Sequence, residues 1–251
     1  MKYKIANIKN HVVKLRDFLL DIIFPIECLG CEKEKNWLCE DCFKKLEYNH
    51  NQYCLNCKTA NNFGEICNNC KNNFDIEGIL IAGNYQDKLL SKLIKTFKYH
   101  FIKNLSQPLG KFLSQFLFLQ ITKENSFKKP NIFSDFKNVL IIPVPLHKKR
   151  RSWRGFNQSE ELAKIIAEKF DVKTSTNLKR IKYKKPQMRL KKSQRKKNIK
   201  NCYIWEGDDL NEKNILLIDD VTTTGSTLNE CAKILKENGA NEVWGLVVAN
   251  G

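Results

Sequence analysis

The stretch Ile215–Leu228 reads ILLIDDVTTTGSTL and decides the fold of the chain. Four consecutive apolar residues predict a buried β-strand, which ends in two carboxylates, Asp219 and Asp220. A loop rich in hydroxyl groups follows, and then a helix is predicted over Ser226–Asn238. A strand, a polar loop and a helix in this order are typical of the parallel sheets of α/β proteins.

The loop between this strand and helix is suited to a phosphate group. A helix N-terminus presents N–H groups without helical partners and a partial positive charge, so anions bind there. Gly225 lets the backbone approach such an anion closely. The loop lacks the Lys of an ATP-binding P-loop, which favours a terminal monophosphate. The candidate phosphate-binding residues are Thr222, Thr223, Thr224, Gly225, Ser226 and Thr227.

The two aspartates lie where a sugar attached to that phosphate would be. Ionised carboxylates only accept hydrogen bonds, which matches the 2′- and 3′-hydroxyl donors of a ribose. Ligands of open α/β sheets also bind at the carboxyl ends of the strands. We therefore predict Asp219 and Asp220 as ribose-binding residues. The alternative is a capped helix start that follows a polar turn and binds nothing.

The segments around this motif predict one α/β domain over residues 74–251, built on a mainly parallel sheet flanked by helices. The strands are continuous apolar runs, which is typical of strands buried on both faces. The predicted strands are Gly78–Tyr85, Asn138–Leu146, Asn214–Asp219 and Glu242–Ala249. The predicted helices are Asp87–Tyr99, about Leu105–Leu119, one opened by Asn157, and Ser226–Asn238.

Residues 27–73 hold eight of the ten cysteines, in four C-x-x-C pairs with the spacing of metal ligands. The segment has too few apolar residues for a core of its own, so we expect two closed, structural Zn²⁺ sites of a double zinc ribbon to hold it. The gaps favour sequential sites, although alternate pairing of the first pair with the third remains open. The sequential ligands are Cys28, Cys31, Cys39 and Cys42 for one ion, and Cys54, Cys57, Cys67 and Cys70 for the other.

Positive charge is concentrated in one region. The chain has 44 Lys and Arg against 27 Asp and Glu, and residues 179–200 carry no acid. We expect a mobile loop there, and its aromatic neighbours suit single-stranded nucleic acid. The candidate nucleic-acid residues are Arg180, Lys182, Lys184, Lys185, Arg189, Lys191, Lys192, Arg195, Lys196 and Lys197.

The first 26 residues predict an amphipathic helix over residues 4–23. Such a helix either packs on its own domain or anchors the chain at a membrane surface. No apolar run approaches the length of about 20 residues that a membrane span requires. The N-terminus also lacks the pattern of a secretion signal. We therefore expect a cytoplasmic protein, with peripheral contact at the inner membrane left open.

The motifs together resemble known families. The stretch Ile215–Leu228 resembles the signature of type I phosphoribosyltransferases, which bind phosphoribosyl pyrophosphate. PVPLHKKRRSWRGFNQSEELA (residues 143–163) and PQMRLKKSQRKKN (residues 186–198), after a cysteine-paired N-terminus, look like the ComF family. That family is associated with the uptake of transforming DNA by competent bacteria. The resemblance covers about Phe24 to Ala249 and implies a zinc ribbon ahead of a phosphoribosyltransferase-like domain.

The resemblance also implies roles for individual residues. It assigns Asp219 and Asp220 to the ribose hydroxyls, as candidate catalytic residues, and the loop that follows to the 5′-phosphate. The turn Leu146, His147 and Lys148 takes the place of the pyrophosphate loop. Mg²⁺ would accompany phosphoribosyl pyrophosphate, since it prefers phosphate oxygens and water as ligands. The basic segment corresponds to a hood loop that closes over pyrophosphate, so a lid and a nucleic-acid contact both remain open.

Three functions are compatible with this pattern. The first is a competence protein that binds a ribose phosphate and handles single-stranded DNA, with the DNA-uptake machinery as a partner. The second is an active phosphoribosyltransferase of nucleotide metabolism with an unknown acceptor, although no residue stands out as a general base. The third is a scaffold that retains a vestigial phosphate site.

Overall fold

The computed structural model describes residues 26–100, 102–123, 130–183 and 201–251. The chain divides into two compact units, residues 1–45 and residues 46–251. The predicted N-terminal helix and residues 184–200 of the predicted basic loop lie outside the described residues. The described part of the first unit contains a β-bridge between Glu27 and Glu34 and the short helix α1 (Glu40–Phe43). Among the described residues, no helix has the length and apolar character needed to cross a membrane.

The second unit begins with a cysteine-rich segment and continues into a strand–helix domain. Its strands are β1 (Gln52–Tyr53), β2 (Ala60–Asn61), β3 (Gly78–Asn84), β4 (Leu140–Pro143), β5 (Lys173–Thr174), β6 (Leu178–Arg180), β7 (Tyr203–Trp205), β8 (Ile215–Thr222) and β9 (Val243–Asn250). Its helices are α2 (Asn68–Lys71), α3 (Lys88–Tyr99), α4 (Ser106–Thr122), α5 (Asn131–Ser134), α6 (Lys148–Arg154), α7 (Gln158–Phe170) and α8 (Ser226–Glu237).

Five strands form a parallel sheet in the order β3-β9-β8-β4-β5. Helices α4 and α7 pack against each other and against these strands. Helix α8 packs on β8 and β9, where Leu217 shares a buried cluster with Leu228 and Cys231. The predicted mainly parallel sheet flanked by helices is therefore confirmed. Two antiparallel hairpins, β1–β2 and β6–β7, lie outside this sheet.

Strand β8 is longer than the sequence predicts. We expected the strand to end at Asp219, but it continues to Thr222. The reason is its neighbour β9, whose ladder pairs Asp219 with Val247 and Thr222 with Asn250. Both aspartates are therefore held by strand backbone, which fixes their direction more firmly than a loop would.

The second half of the cysteine-rich segment covers the edge of the sheet at β3. The amide side chain of Gln52 donates to the carbonyl of Ile81 and accepts from the N–H of Ile81, both at 3.0 Å. The N–H of Ile79 donates to the carbonyl of Gly64 at 2.9 Å. An edge strand otherwise leaves such backbone groups without partners. This segment is therefore bonded to the sheet along β3.

Candidate functional site

The two aspartates of β8 are each fixed by one neighbouring helix. Asp219 Oδ1 accepts a hydrogen bond from the Ser159 hydroxyl at 2.8 Å, at the start of α7. Asp220 Oδ1 forms an ion pair with Lys98 Nζ at 3.0 Å, at the end of α3. Asp220 Oδ1 also accepts from the N–H of Val221 at 2.6 Å. Both carboxylates are thus oriented through their Oδ1 atoms before any ligand binds.

Lys98 is a site residue that the sequence analysis missed. Its side chain is 18% exposed and neutralises the 10% exposed side chain of Asp220. Burial lowers the pKa of Lys98, but the charges of Asp220 and Asp219 outweigh it and leave the pKa raised. A signal existed, because Lys98 follows the buried Ile94 by four residues and therefore lies near the apolar face of α3.

Asp219 changes its protonation state near neutral pH. Burial, and then the neighbouring charge of Asp220, raise the pKa of Asp219 to about 7. Lys98 and the hydrogen bond from Ser159 oppose this rise without cancelling it. An ionised Asp219 is therefore costly in this structure until a partner that donates hydrogen bonds reaches it.

The hydroxyl-rich loop forms a tight turn into α8. Gly225 has the left-handed φ of +68° and donates its N–H to Thr222 Oγ1 at 3.2 Å. The hydroxyls of Thr224 and Ser226 lie 2.7 Å apart. Gly225 has no side chain with which to cap α8, and the first amide of the helix, that of Ser226, donates to Thr224 Oγ1 at 3.4 Å. The turn therefore brings the hydroxyls of Thr222, Thr224 and Ser226 together at the start of α8, and a phosphate site at this turn stays a prediction.

The turn rests on the cysteine-rich segment. A Cβ atom on Gly225 would lie 2.6 Å from Leu55 Cδ2 and 3.1 Å from Ile79 Cδ1, so only glycine fits. Leu55 is 4% exposed and follows Cys54, the first residue of the second cysteine cluster. Asn229 of α8 also accepts from the N–H of Asp75 at 2.8 Å, just after that cluster. The second cysteine cluster is therefore packed directly beneath the candidate phosphate loop.

The residues assigned to the pyrophosphate loop line a cleft of about 510 Å³ beyond the end of β4. We expected a turn at Leu146, His147 and Lys148, but Lys148 begins α6. The helix forms because His147 Nδ1 accepts from the N–H of Lys149 at its start, and Gly155 ends it with a φ of +76°. The cleft is lined by Pro143, Pro145, Leu146, His147, Lys148, Arg151, Asn157, Glu160, Thr176, Leu178, Lys179, Arg180, Ile181 and Glu206.

Polar groups beside this cleft are suited to an anion. Burial, followed by the charges of Arg180 and Lys149, lowers the pKa of His147, which lies among these cations. Arg180 Nε and the hydroxyl of the buried Tyr203 have no hydrogen-bond partner in the described part of the chain. Buried polar groups normally have partners, so a ligand atom in this region would satisfy them.

Only two of the ten candidate nucleic-acid residues are described. Arg180 lies in β6, where it pairs with Tyr203 of β7, and its guanidinium stands 5.5 Å from the centre of that ring. Lys182 is exposed just beyond the strand. We expected the basic loop to begin at residue 179, but the structure places Lys179 and Arg180 in this hairpin. The candidates outside the described residues are Lys184, Lys185, Arg189, Lys191, Lys192, Arg195, Lys196 and Lys197.

The eight paired cysteines gather into two groups of four in the sequential arrangement. The four sulfur atoms within each group lie within 4.8 Å of one another, with Cys31 and Cys39 3.6 Å apart and Cys57 and Cys67 3.5 Å apart. These separations fit the edge of about 3.8 Å in a tetrahedron with Zn–S bonds of 2.3 Å. The groups are Cys28, Cys31, Cys39 and Cys42, and Cys54, Cys57, Cys67 and Cys70.

Backbone N–H groups around Cys28 favour the thiolate form that binds zinc, whereas burial and neighbouring thiols raise the pKa of Cys42 to about 12. Cys28 Sγ accepts the N–H of Cys39 at 3.3 Å. Burial raises the pKa of Cys28, but such backbone bonds outweigh it and lower the pKa to about 6. A bound zinc ion supplies folding free energy to a segment with a small core. Two Cys₄ sites of the zinc-ribbon type are therefore confirmed as structural.

Comparison with known proteins agrees with this arrangement. The family model of the double zinc ribbon domain matches residues 19–71. The model of the phosphoribosyl transferase domain matches residues 157–250, which include both aspartates and the loop after them. Competence protein F of Haemophilus influenzae is 32% identical over 238 residues, which cover 90% of this chain and 98% of that protein. The chain belongs to the ComF family.

Other relatives share parts of this chain. Competence protein ComFC of Bacillus subtilis is 28% identical over 210 residues, which cover 80% of this chain and 79% of that protein. The DNA utilization protein YhgH of Salmonella typhi is 37% identical over 110 residues, which cover 41% of this chain and 47% of that protein. The resemblance to the ComF family that the sequence motifs indicated is therefore confirmed.

The packing of Leu55 against the phosphate loop predicts the effect of Gly225→Ala. The left-handed φ costs an alanine about 1–2 kcal/mol, and overpacking adds about 1–3 kcal/mol. Gly155→Ala is the matched control, because Gly155 has a φ of +76° with no atom within 4 Å of the added Cβ. Urea unfolding should show that Gly225→Ala costs more than Gly155→Ala, and that most of this excess is lost when Leu55→Ala is also present, because the contact of the added Cβ with Ile79 at 3.1 Å remains. An equal cost in both backgrounds would contradict the packing.

The raised pKa of Asp219 predicts a pH-dependent stability. Between pH 4 and about 7 the folded state retains a proton that the unfolded state loses, so stability falls as the pH rises. We expect Asp219→Asn to be more stable than the wild type at pH 8, by about 4 kcal/mol, and to lose this advantage near pH 4. Urea unfolding of both proteins from pH 4 to 8 measures the difference. Parallel curves would contradict it, and Asp208→Asn at an exposed position serves as the control.

Proposed function

We propose that this ComF-family protein binds phosphoribosyl pyrophosphate, or a related ribose 5-phosphate, and acts in the handling of single-stranded DNA during competence. The observation that carries the proposal is the pair Asp219 and Asp220, oriented at the carboxyl end of β8 beside the hydroxyl-rich turn into α8. A ribose needs two acceptors and its 5′-phosphate needs several donors, and this edge of the sheet offers both sets side by side.

The residues of the site have separate roles in this proposal. Ser159 and Lys98 hold the Oδ1 atoms of the two aspartates, so each Oδ2 atom is the natural acceptor for one ribose hydroxyl. The 5′-phosphate would replace Thr224 Oγ1 as the acceptor of the Ser226 N–H and would accept from the hydroxyls of Thr224 and Ser226. When bound, Mg²⁺ would neutralise part of the charge of the pyrophosphate. Hydroxyl donors would also lower the cost of ionising Asp219.

The role in DNA handling is supported by relatives and by charge. Two relatives are named as competence proteins and a third as a DNA utilization protein. This chain also carries a formal net charge of +17. Such an excess suits a polyanion, and association with nucleic acid that depends on it weakens steeply with salt.

Calorimetry with phosphoribosyl pyrophosphate and Mg²⁺ tests the sugar-phosphate site. The wild type should give saturable binding, and Asp219→Asn and Asp220→Asn should each weaken it about 10- to 100-fold, because each removes a charged acceptor. Asp208→Asn removes an exposed carboxylate from the same unit and should bind as the wild type does. Thermal unfolding confirms that each variant is folded. Absence of saturable wild-type binding would refute this part of the proposal.

A second candidate is an active phosphoribosyltransferase, which the cation-lined cleft beside β4 favours. In that reaction a nucleophile forms a bond to the anomeric carbon of ribose, and the bond from that carbon to the pyrophosphate oxygen breaks. The electron pair leaves with pyrophosphate. The cations around His147, which include Arg180 and Lys149, would stabilise the negative charge of the pyrophosphate.

Release of pyrophosphate distinguishes this candidate from a binding protein. An active transferase releases it only when an acceptor is present, and Asp220→Asn should abolish the release in a protein that remains folded. Tight binding with no release for any nucleobase or nucleoside acceptor would instead support a scaffold whose phosphate site is vestigial.

A further inference from the structure

Helix α6 carries an unusual concentration of positive charge. Its sequence, KKRRSWR, has five cations in seven residues and no acid, and none of its residues is buried. Like charges one turn apart on a helix repel each other. Arg151 forms an ion pair with Glu160 of α7 at 3.2 Å, and Arg154 Nη1 donates to Gln158 Oε1 at 3.0 Å. Helix α6 therefore presents a positive surface that an anionic partner would stabilise.

Aromatic side chains lie on both sides of this helix. Tyr99, at the end of α3, is 53% exposed, and the guanidinium of Arg154 stands 5.5 Å from its ring centre. Tyr183, beyond β6, is 40% exposed, and Lys149 Nζ stands 5.4 Å from its ring centre. Trp153 of α6 itself is 59% exposed. We call Tyr99, Lys149, Trp153, Arg154 and Tyr183 the α6 surface.

Positive charges in α6 and in β6 lie close enough to oppose the charge of Arg150, a residue of α6. Burial, followed by the charges of Arg180 and Arg154, lowers the pKa of Arg150. The positive groups around α6 are thus close enough to disfavour one another. A chain of phosphates beside them would reverse this effect.

The side chains of α6 lie on different sides of the helix. Lys148 and Arg151 line the cleft beyond β4. Lys149 and Trp153 are four residues apart and therefore share another direction of the helix. Lys149 and Trp153 thus lie on a different side of α6 from Lys148 and Arg151, while the ring of Tyr183 lies 5.1 Å from that of His147, which lines the cleft. A polymer on the α6 surface would therefore extend from this side of the helix to the rim of the cleft.

We propose that the α6 surface binds single-stranded DNA, with Lys149 and Arg154 on phosphates and with Tyr99, Trp153 and Tyr183 stacked on bases. This inference rests on the proposed function, for which it names the contact residues. Cations beside exposed rings are typical of proteins that bind single strands, since every unpaired base offers a face for stacking. A membrane surface fits less well, because it requires a continuous apolar face and Trp153 is the single apolar residue of α6.

Fluorescence anisotropy of the full chain with a labelled strand of about 15 deoxythymidines tests the proposal. Trp153→Ala and Tyr183→Ala should each weaken binding about 10-fold, which is within the range for loss of one stacked base. Phe118→Ala is the matched control, because Phe118 is 54% exposed on α4. All these positions are exposed, so melting temperatures should remain those of the wild type.

The salt dependence separates the two kinds of contact. Lys149→Ala should reduce the slope of log affinity against log salt by roughly 0.7, the value for one phosphate contact on a single strand. Trp153→Ala should lower the affinity and leave this slope unchanged. Lys169→Ala, at an exposed position in the last turn of α7, should change neither quantity.

Three other outcomes of these binding measurements would each contradict a different part of the account. If the wild type binds the strand and the α6 variants bind equally well, the α6 surface is wrong while the proposed function stands. If the wild type does not bind the strand while phosphoribosyl pyrophosphate still binds, the DNA part of the proposed function fails. If Trp153→Ala abolishes binding to phosphatidylglycerol vesicles and leaves DNA binding intact, the surface serves a membrane and the proposal is overturned.

Discussion

The contact between Gly225 and Leu55 is the constraint on which the candidate site depends. A left-handed turn at Gly225 connects β8, which carries the two aspartates, to the start of α8. The turn can close only because the position has no side chain and because Leu55 and Ile79 fill the space behind it. A residue of the second cysteine segment, which resembles a separate module in sequence, therefore packs against the candidate phosphate loop.

The same segment also completes the sheet. Gln52 and Gly64 supply partners to backbone groups of β3 that an open edge would leave exposed. Zinc binding by the second cluster would thus contribute folding free energy to the sheet as well as to its own ribbon. The first cluster belongs to the other compact unit, so the two chemically similar sites have different structural consequences.

Much of the fold could be predicted because its strands are continuous apolar runs and its helices have clear periodicity. The strands around β8 and the helix after Gly225 follow the predicted order, and the cysteine spacing correctly favoured sequential clusters. Lys98 was missed, because a cation is ordinarily assigned to a solvated helix face, although its buried partner Asp220 reverses that preference. Helix α6 was missed for a similar reason, since a run of cations has no apolar period to reveal a helix.

The packing of Leu55 could not be predicted either, because it joins residues 170 positions apart that share no local pattern.

Hydrogen exchange at the amides of residues 223–228 tests the central claim most directly. The exchange is measured with and without ribose 5-phosphate in the wild type, in Cys67→Ser and in Cys39→Ser. The account predicts that the ligand slows exchange there in Cys39→Ser, as in the wild type, and that Cys67→Ser loses this protection. Equal protection in both variants, or none in the wild type, would contradict it.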